Sequence, residues 1–365
     1  MMKQDFVLPS DTYLLNHSVG RPLKSAENHF KQSYLSPWQD SGREPWQAWL
    51  AIITEFQQVL GRLFNASFMQ FCPQVNLSSG LTKLIMALPE LNENSVVLMS
   101  AQDFPSMGFA MQKALPAGVT IRYIPEHEDI TQIDVWQQHL TADVDLVFVS
   151  QAYSNTGQLA PVNDIVKFAK ANQTLSIIDV AQSAGVIPLD LNKLDADFMI
   201  GSSVKWLCGG PGAAYLWLNQ RHIKRLAPKD VGWFSHENPF EFDIHHFAYH
   251  DSALKFWGGT PSVAPYAFAS HSIDYFAQLG DKLRGHNQNL IDLLIQHLGE
   301  QVVSPHDRNR RSGTVIINPT MGIEAAMAEC TQAGISLDTR AHGIRVSPHI
   351  YNDESDILKL VTALK

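Results

Sequence analysis

Two residues of opposite charge follow consecutive apolar runs of the chain and stand 26 positions apart. Asp179 ends the apolar run 176–179, and Lys205 comes shortly after the run 198–201. A carboxylate at the end of a buried strand is unfavourable unless it meets a cation there. A protonated pyridine nitrogen is a cation that would meet this need.

The pair predicts pyridoxal 5′-phosphate chemistry on an amino acid. An ionised Asp179 would keep the pyridine nitrogen protonated, so that the ring can accept electrons from the substrate α-carbon. The Lys205 amine would hold the cofactor as a Schiff base and, once desolvation lowers its pKa, move the α-proton. Taken singly, Asp179 could cap a helix and Lys205 could be a surface lysine. Ser202, Ser203 and a Gly-Gly-Pro-Gly turn after the lysine favour the chemical interpretation, because they let backbone and hydroxyl groups approach a ligand.

These residues need a layered α/β framework to position them. Short apolar runs alternate with helix-length segments through the first two thirds of the chain, and runs that are apolar on both faces are typical of a parallel sheet covered by helices. Ligands of such sheets bind at the carboxyl ends of the strands. The runs lie at 96–99, 120–123, 146–149, 176–179, 198–201 and 214–218.

The pattern changes near residue 262. A long helical stretch through residue 298 precedes apolar runs at 313–317 and 344–347 and a final helical segment. We therefore expect an N-terminal arm (1–15), a large cofactor-binding domain (16–260) and a small α+β domain (261–365). The aromatic and His-rich segment 232–259 is the expected linker.

Composition limits the partners and the compartment. With 365 residues, 45% of them hydrophobic, the chain can bury a large core. A net charge of -9 and the lack of a basic run argue against a nucleic-acid partner. No segment resembles a signal peptide or reaches membrane-spanning length, so we expect no membrane association and a cytoplasmic location.

Neither cysteines nor histidines suggest a metal site. The cysteines Cys72, Cys208 and Cys330 are odd in number and widely spaced, which favours reduced thiols over disulfides or structural zinc. The histidines at 245, 246 and 250 lie close together without an accompanying carboxylate motif, so we assign them a solvated or hinge role and predict no metal.

The segment 179–218 resembles the class V (fold type I) pyridoxal-phosphate enzymes, most of all the kynureninases and the isopenicillin N epimerase-like aminotransferase homologues. The match consists of Asp179-x-Ala-x-Ser-Ala-Gly, then Ala-Asp-Phe from Ala196, then Lys205 before Gly-Gly-Pro-Gly. The resemblance implies a large domain with a mainly parallel seven-stranded sheet between helices and a small α+β C-terminal domain. It also implies pyridoxal phosphate as cofactor and Gln182 as one of its contacts.

Further segments match the family in the same order. The segment 76–82 resembles the phosphate loop, which implies that Ser79 and Gly80 contact the phosphate; a serine-rich helix N-cap is the alternative. Asp-Phe-Pro-Ser from Asp103 resembles the segment whose aromatic ring stacks on the cofactor, which implies that role for Phe104 rather than simple core filling. The segment 153–157 is similar to the family's Tyr-x-Thr-Gly loop.

Three more matches concern the substrate and a second subunit. The stretches 232–236 and 256–261 resemble segments that in kynureninases help complete the neighbouring subunit's site, which implies a homodimer with Trp233 and Thr260 near the phosphate; an apolar hinge is the alternative. Arg345 stands in a stretch similar to the family's Arg-x-Ser-Pro-His-x-Tyr-Asn signature, which implies bidentate binding of the substrate α-carboxylate. His17 lies in a segment similar to one that enters the active site, although a capping or core histidine would fit equally.

The chain also departs from its relatives. Where kynureninases usually carry His, Tyr and Asp, it has Gln182, Val204 and Met107. Loss of the tyrosine hydroxyl argues against kynurenine cleavage but leaves cofactor binding intact. The stretch 341–343, Ala-His-Gly, lacks the nucleophilic cysteine of cysteine desulfurases, which disfavours persulfide chemistry but not a simple carbon–sulfur lyase.

The predicted function is therefore a pyridoxal-phosphate enzyme acting on an amino acid through Lys205, either an aminotransferase or a related lyase. A kynureninase-like or cysteine-type C–S or C–C lyase is the first alternative. A non-catalytic binding protein that retains the fold is the second.

Overall fold

The computed structural model describes residues 2–365 as strands, helices and connecting loops. The strands are β1 (Thr12–Tyr13), β2 (Phe71–Gln74), β3 (Val96–Ser100), β4 (Thr120–Ile124), β5 (Leu146–Ser150), β6 (Leu175–Asp179), β7 (Phe198–Ser202), β8 (Ala214–Leu218), β9 (Val315–Ile317), β10 (Ile335–Ser336), β11 (Asp338–Arg340) and β12 (Gly343–Val346). The helices are α1 (Ala26–Phe30), α2 (Ser36–Asp40), α3 (Trp46–Phe64), α4 (Leu77–Ile85), α5 (Pro105–Ala114), α6 (Ile133–His139), α7 (Val162–Ala171), α8 (Leu191–Leu194), α9 (Gln220–Ile223), α10 (Ala264–Leu279), α11 (Lys282–Leu298), α12 (Ile323–Gln332) and α13 (Glu354–Ala363).

A seven-stranded sheet forms the centre of the large domain, in the order β2-β8-β7-β6-β5-β3-β4. The five strands from β3 to β7 are parallel, whereas β8 runs antiparallel to β7 and β2 antiparallel to β8. The mainly parallel seven-stranded sheet expected from the family resemblance is thereby confirmed. The apolar runs did not reveal β2, whose Pro73 is tolerated because this strand lies at the sheet edge.

The sheet is apolar on both faces, as its sequence runs indicated. Along β5, Val147 and Val149 pack in one core with α3, α7 and α10, whereas Leu146 and Phe148 pack in a second core with α4 and α5. This alternation arises because successive side chains of a strand point to opposite faces. The sheet therefore lies between two helical layers, and its strand ends are open for a site.

The C-terminal part has its own core beneath the small antiparallel sheet β11-β12-β9. The expected single helical stretch after residue 262 is two helices, α10 and α11, separated at Gly280, whose positive φ of 57° an L residue rarely adopts. Helix α10 packs in the large-domain core, and the later part of α11 packs in the small one. The chain thus passes from the large-domain core to the small-domain core after α10. The domain limits 1–15, 16–260 and 261–365 stay predictions.

The N-terminal segment links the two cores. Strand β1 pairs in parallel with β10 of the small domain, and Leu14 is buried in the small core. Farther on, the Gly20 N–H donates to the Val204 carbonyl at 2.8 Å, next to the lysine of interest. Across residues 2–365, no helix has both the length and the apolar character that a membrane crossing requires.

Candidate active site

A cavity of about 210 Å³ opens at the carboxyl ends of β5 and β6. Parallel pairing sets Ser150, the last residue of β5, beside Asp179, the last residue of β6. Both residues line the cavity, and so do Phe104 and Lys205. The fold therefore brings Phe104 together with the predicted pair of Asp179 and Lys205 in one cavity.

Asp179 is buried, and only one of its two carboxylate oxygens accepts a hydrogen bond within residues 2–365. Its Oδ1 accepts a hydrogen bond from the Ala181 N–H at 2.7 Å, whereas Oδ2 accepts none from residues 2–365. Burial raises the pKa of this carboxyl to about 6, against the opposing effects of the Ala181 hydrogen bond and the positive charge of Lys205. A cation placed at Oδ2 would favour the ionised form.

Lys205 follows β7 and faces Phe104 across the cavity. Its Nζ lies 5.9 Å from the centroid of the phenyl ring, and the ring itself is half exposed. Burial lowers the pKa of the amine to about 8; the Asp179 carboxylate acts to raise it, and the Arg345 guanidinium acts to lower it further. A substantial fraction of the amine is thus neutral near physiological pH, as a nucleophile or base requires.

The start of α4 lies at the cavity, and its free N–H groups stand two residues before the predicted phosphate contacts. Asn76 caps the helix by accepting from the Ser79 N–H at 2.8 Å, and the Gly80 N–H donates to the Asn76 carbonyl at 3.2 Å. The N–H groups of Ser79 and Gly80 are therefore used within the helix start, and their predicted phosphate contacts stay predictions. The N–H groups of Leu77 and Ser78 lack acceptors among residues 2–365, and both residues line the cavity.

The two serines before the lysine do not line the cavity. The Ser203 hydroxyl is buried and donates to the carbonyls of Ala213 and Gly210 at 2.9 and 3.2 Å. Ser202 accepts at its Oγ from the Val204 N–H at 3.4 Å. The Ser203 hydroxyl thus helps to hold the turn that presents Lys205, whereas the Ser202 hydroxyl donates to no group within residues 2–365. The predicted cofactor contacts of both serines stay predictions.

Gln182 reaches the cavity as predicted, and His17 does not. The Gln182 Nε2 donates to the His17 carbonyl at 3.0 Å, which leaves its Oε1 buried with no partner in the described chain. The His17 ring is buried, with Nδ1 2.5 Å from the Ser347 Oγ and Nε2 2.8 Å from an Asp338 oxygen. Both ring nitrogens thus have partners within the protein, and the substrate contact of His17 stays a prediction.

Arg345 is buried and oriented by Asp338. Its Nε donates to Asp338 Oδ1 at 2.8 Å and its Nη2 to Oδ2, so one edge of the guanidinium is filled. The opposite edge remains, because Nη1 has no partner within residues 2–365. The Asp338 pKa is held well below its ordinary value, because hydrogen bonds from His17 and Arg345 outweigh the effect of burial. Arg345 is thus fixed in place by Asp338, does not itself line the cavity, and its contact with a substrate carboxylate stays a prediction.

Trp233 and Thr260 lie together but outside this cavity. The Trp233 Nε1 donates to the Thr260 Oγ1 at 3.2 Å, and the indole packs edge-on against Trp46 with ring centroids 5.5 Å apart. Thr260 is exposed. Neither side chain reaches the phosphate side of its own chain's cavity.

The sequence analysis missed two residues near the base of the cavity. Asp103 is partly buried; its Oδ1 accepts from the Ser150 hydroxyl at 2.7 Å and its Oδ2 from the Ser100 N–H at 2.9 Å. Burial raises the pKa of Asp103 to about 7, and the neighbouring Asp179 charge adds to the increase. Gln102 lines the cavity beside it. Their position just after β3 was the available signal, because polar residues after parallel strands collect at one sheet edge.

A family described as Aminotransferase class-V matches residues 76–360 of the chain. The chain belongs to the class-V aminotransferase family. This confirms the family and the enzyme class predicted from the sequence, and with them pyridoxal phosphate as the cofactor of that family.

Named relatives agree with this membership. The class-V chain is 28% identical to a kynureninase of Deinococcus radiodurans over 94% of its length and 86% of the relative's. Its fold is similar to that of a cysteine desulfurase from Thermococcus onnurineus NA1, with a TM-score of 0.87, 18% identity and coverage of 99% and 96% of the two chains. It is equally similar to a C-DES mutant with glycine covalently linked to the PLP cofactor, with a TM-score of 0.88, 21% identity and coverage of 99% and 98%.

Proposed function

We propose that this class-V protein acts on an α-amino acid with pyridoxal phosphate held covalently by Lys205. The observation that carries the proposal is the single cavity that gathers Lys205, Asp179 and Phe104, with Arg345 close enough to influence the lysine's charge. These are four groups of different chemistry. A cofactor with an aldehyde, a basic ring nitrogen and a flat ring would use the first three, and a substrate carboxylate would use the fourth.

The residues present fit that cofactor. The free N–H groups of Leu77 and Ser78, at the N-terminus of α4, suit a phosphate dianion. The unpaired Asp179 Oδ2 suits a protonated ring nitrogen, and the buried, unpaired Gln182 Oε1 suits a hydrogen-bond donor on the ring. When bound, pyridoxal phosphate supplies an electron sink for the α-carbon of an attached amino acid.

The protein's own residues then have separate tasks. Lys205, with its lowered pKa, takes and returns the proton of the α-carbon. Arg345 holds the substrate carboxylate on its free edge, and Asp338 keeps the guanidinium from turning. Phe104 covers one face of the cavity and restricts access of water to the reacting atoms.

The cavity favours transamination or simple lyase chemistry over the specialised reactions of two relatives. Met107, an apolar side chain, lines the cavity where kynureninases carry a carboxylate. Cys72, Cys208 and Cys330 are all buried and none lines the cavity, so within the described chain no thiol is placed to receive sulfur from a substrate. Kynurenine cleavage and persulfide transfer are therefore secondary candidates.

Reduction with borohydride tests the covalent role of Lys205. The loaded protein should show a visible absorption band that borohydride abolishes, and peptide mapping should then place the reduced cofactor on Lys205. The Lys205→Ala variant should show no such band, whereas Lys224→Ala, at an exposed lysine, should retain it. An unmodified Lys205 peptide in fully active, reduced protein would contradict the proposal.

An amino-acid screen on the same preparation identifies the reaction. Conversion of the band to that of a pyridoxamine product would show an aminotransferase. Release of pyruvate, alanine or sulfide with the band restored would show a lyase. A protein whose band responds to none of the amino acids, and whose biological activity survives Lys205→Ala, would be the non-catalytic alternative.

We further propose a homodimer in which Trp233 and Thr260 complete the partner's phosphate site, since both lie outside their own cavity. A Thr260→Asp variant should lose phosphate affinity, because the added charge repels a dianion. Mixing it with Lys205→Ala should restore turnover, because the mixed dimer holds one intact site. No recovery after proven subunit exchange would contradict shared sites. The cytoplasmic location stays a prediction.

A further inference from the structure

A surface hairpin at residues 236–249 is independent of the active-site cavity. An antiparallel bridge joins His236 to Tyr249, and the Glu237 N–H donates to the Ala248 carbonyl at 3.0 Å. The enclosed loop is rich in apolar side chains that face solvent: Phe242 is 76% exposed and Ile244 is 92% exposed. Backbone pairing at the base is sparse, so something else must define the conformation of this loop.

Three potential metal ligands meet inside the hairpin. His246 Nδ1 lies 3.2 Å from one oxygen of Glu241, and His236 Nε2 lies 3.9 Å from the other. One ligand atom from each of the three residues lies within 4.8 Å of the other two. Ligands about 2.0–2.1 Å from a tetrahedral ion are separated by roughly 3.3 Å, so small side-chain rotations would bring all three into a first coordination sphere.

His236 supplies the second, independent observation. Its side chain is buried at 6% exposure, yet its Nε2 has no hydrogen-bond partner within residues 2–365. The other ring nitrogen, Nδ1, lies 3.0 Å from the Asn238 carbonyl oxygen and accepts from the Asn238 N–H at 2.9 Å. An ion at Nε2 requires the tautomer with the proton on Nδ1, and in that tautomer Nδ1–H donates to the Asn238 carbonyl. Metal-binding histidines are commonly fixed in this way by a backbone carbonyl.

We propose that His236, Glu241 and His246 bind a divalent transition metal of the zinc type, with water in the remaining position. Two imidazoles and a carboxylate form a ligand set that suits zinc. The sequence analysis placed His246 with its neighbours at 245 and 250 and predicted no metal. The hairpin instead turns His246 toward Glu241 and His236, ten residues away along the chain.

The ion would fix the loop rather than take part in the amino-acid reaction. None of the three ligands lines the Lys205 cavity. Holding Glu241 and His246 against His236 would fix the intervening Phe242, whose ring stacks on Trp233 with centroids 6.1 Å apart. Metal binding is thus expected to order the exposed apolar tip and the tryptophan beneath it.

Cobalt(II) is a suitable probe, because it binds zinc sites and absorbs visible light. Chelator-treated, cofactor-loaded protein should bind one Co²⁺ per chain with a long-wavelength absorption that Zn²⁺ abolishes. His236→Ala and Glu241→Gln should each weaken Co²⁺ binding by at least about a hundredfold, since even outer-shell changes cost 10–100-fold. His245→Ala is the matched control, because that exposed histidine lies outside the cluster, and it should leave the affinity unchanged.

A second measurement addresses the loop itself. Zn²⁺ should slow proteolytic cleavage within residues 238–247 of the parent chain and have no such effect in His236→Ala. The far-ultraviolet circular dichroism should be unchanged in every variant, which verifies folding. The absence of saturable Co²⁺ binding, or equal loss of binding in His245→Ala, would overturn the proposal and leave a histidine–carboxylate contact only.

Discussion

Two groups of polar residues at the active site, one that lines the cavity and one that does not, differ in how many of their hydrogen bonds the protein itself supplies. Near the small domain, Arg345, Asp338 and His17 pair with one another. Near the large sheet, Asp179 keeps an unpaired oxygen and Gln182 an unpaired, buried Oε1. Buried polar groups are rarely left without partners unless a ligand or water supplies them. The protein itself therefore fixes the residues near the small domain, whereas the unpaired oxygens near the large sheet are free to accept hydrogen bonds from a cofactor.

The two aspartates show the same difference in their pKa values. Hydrogen bonds from His17 and Arg345 hold the Asp338 pKa well below its ordinary range, so its ionised form stabilises the fold. Burial raises the Asp179 pKa to about 6, so its ionised form is unfavourable in the protein without cofactor. The Asp338 carboxylate therefore stabilises the folded protein, whereas the Asp179 carboxylate becomes favourable when a cation binds beside it. The predictions that follow test this division, beginning with the largest effect.

Asp179→Asn should reduce turnover by at least about a hundredfold, because the amide cannot keep a ring nitrogen protonated. The isosteric side chain can still accept from the Ala181 N–H. Steady-state kinetics on the substrate found in the screen measures the effect. Asp190→Asn is the control, because it changes an aspartate that does not line the cavity and that caps α8, a role in which asparagine serves equally well. Turnover within about twofold of the parent for Asp179→Asn would remove the proposed electrostatic role.

Leu77→Pro should weaken binding of pyridoxal phosphate by about 10–100-fold relative to Leu77→Ala. Proline is accommodated at the first helical position and removes one free N–H, and a hydrogen bond to a charged group contributes about 1.5–3 kcal/mol. Asn76 before it is already extended, as proline requires. Fluorescence titration of the cofactor-free variants gives both affinities. Equal affinities would show that Leu77 N–H does not bind the phosphate.

Asp338→Asn and Asp179→Asn should change stability in opposite directions at pH 7. The first should lower the free energy of unfolding of cofactor-free protein by about 1–3 kcal/mol, because it leaves buried Arg345 without its anion. The second should raise it by about 1–3 kcal/mol, since a carboxyl with a raised pKa is destabilising once ionised. Urea unfolding measures both changes.

The pH dependence of that comparison has a definite sign. The Asp338 contribution should be present above the unfolded pKa near 4 and disappear as pH falls toward the lower folded value, so Asp338→Asn and the parent should converge in acid. The Asp179 penalty should appear as pH rises through about 4 to 6. Shifts of the same sign for both variants at pH 7 would refute the division between the two groups.

The smallest expected effect concerns the rate at which cofactor-free protein takes up pyridoxal phosphate. The neutral amine of Lys205 is the reactive form, so the rate should rise with pH through a midpoint near the lysine pKa of about 8. Arg345→Gln should move the midpoint upward by up to about one pH unit, because it removes a positive charge that lowers this pKa. Stopped-flow absorbance records the rates. A downward shift would contradict the proximity of the two groups.

The local sequence was sufficient to predict the position of residues that stand at the ends of neighbouring strands. Asp179 ends β6 and Lys205 follows β7, which pair in parallel, so both residues had to emerge at one edge of the sheet. The alternation of apolar runs and helical segments was enough to predict that sheet, apart from the four-residue β2. These features could be predicted because the apolar runs that form the strands, and the polar residues that follow them, can be seen directly in the sequence.

Contacts between distant segments were decided only by the tertiary structure. The helix start at Leu77 determined that Leu77 and Ser78, rather than Ser79 and Gly80, keep free N–H groups. Packing of the N-terminal segment against the small domain engaged both nitrogens of His17, and the hairpin brought His236 to His246. Each outcome depends on where backbone donors and ring nitrogens find partners across the fold, and residue type and spacing do not contain that information.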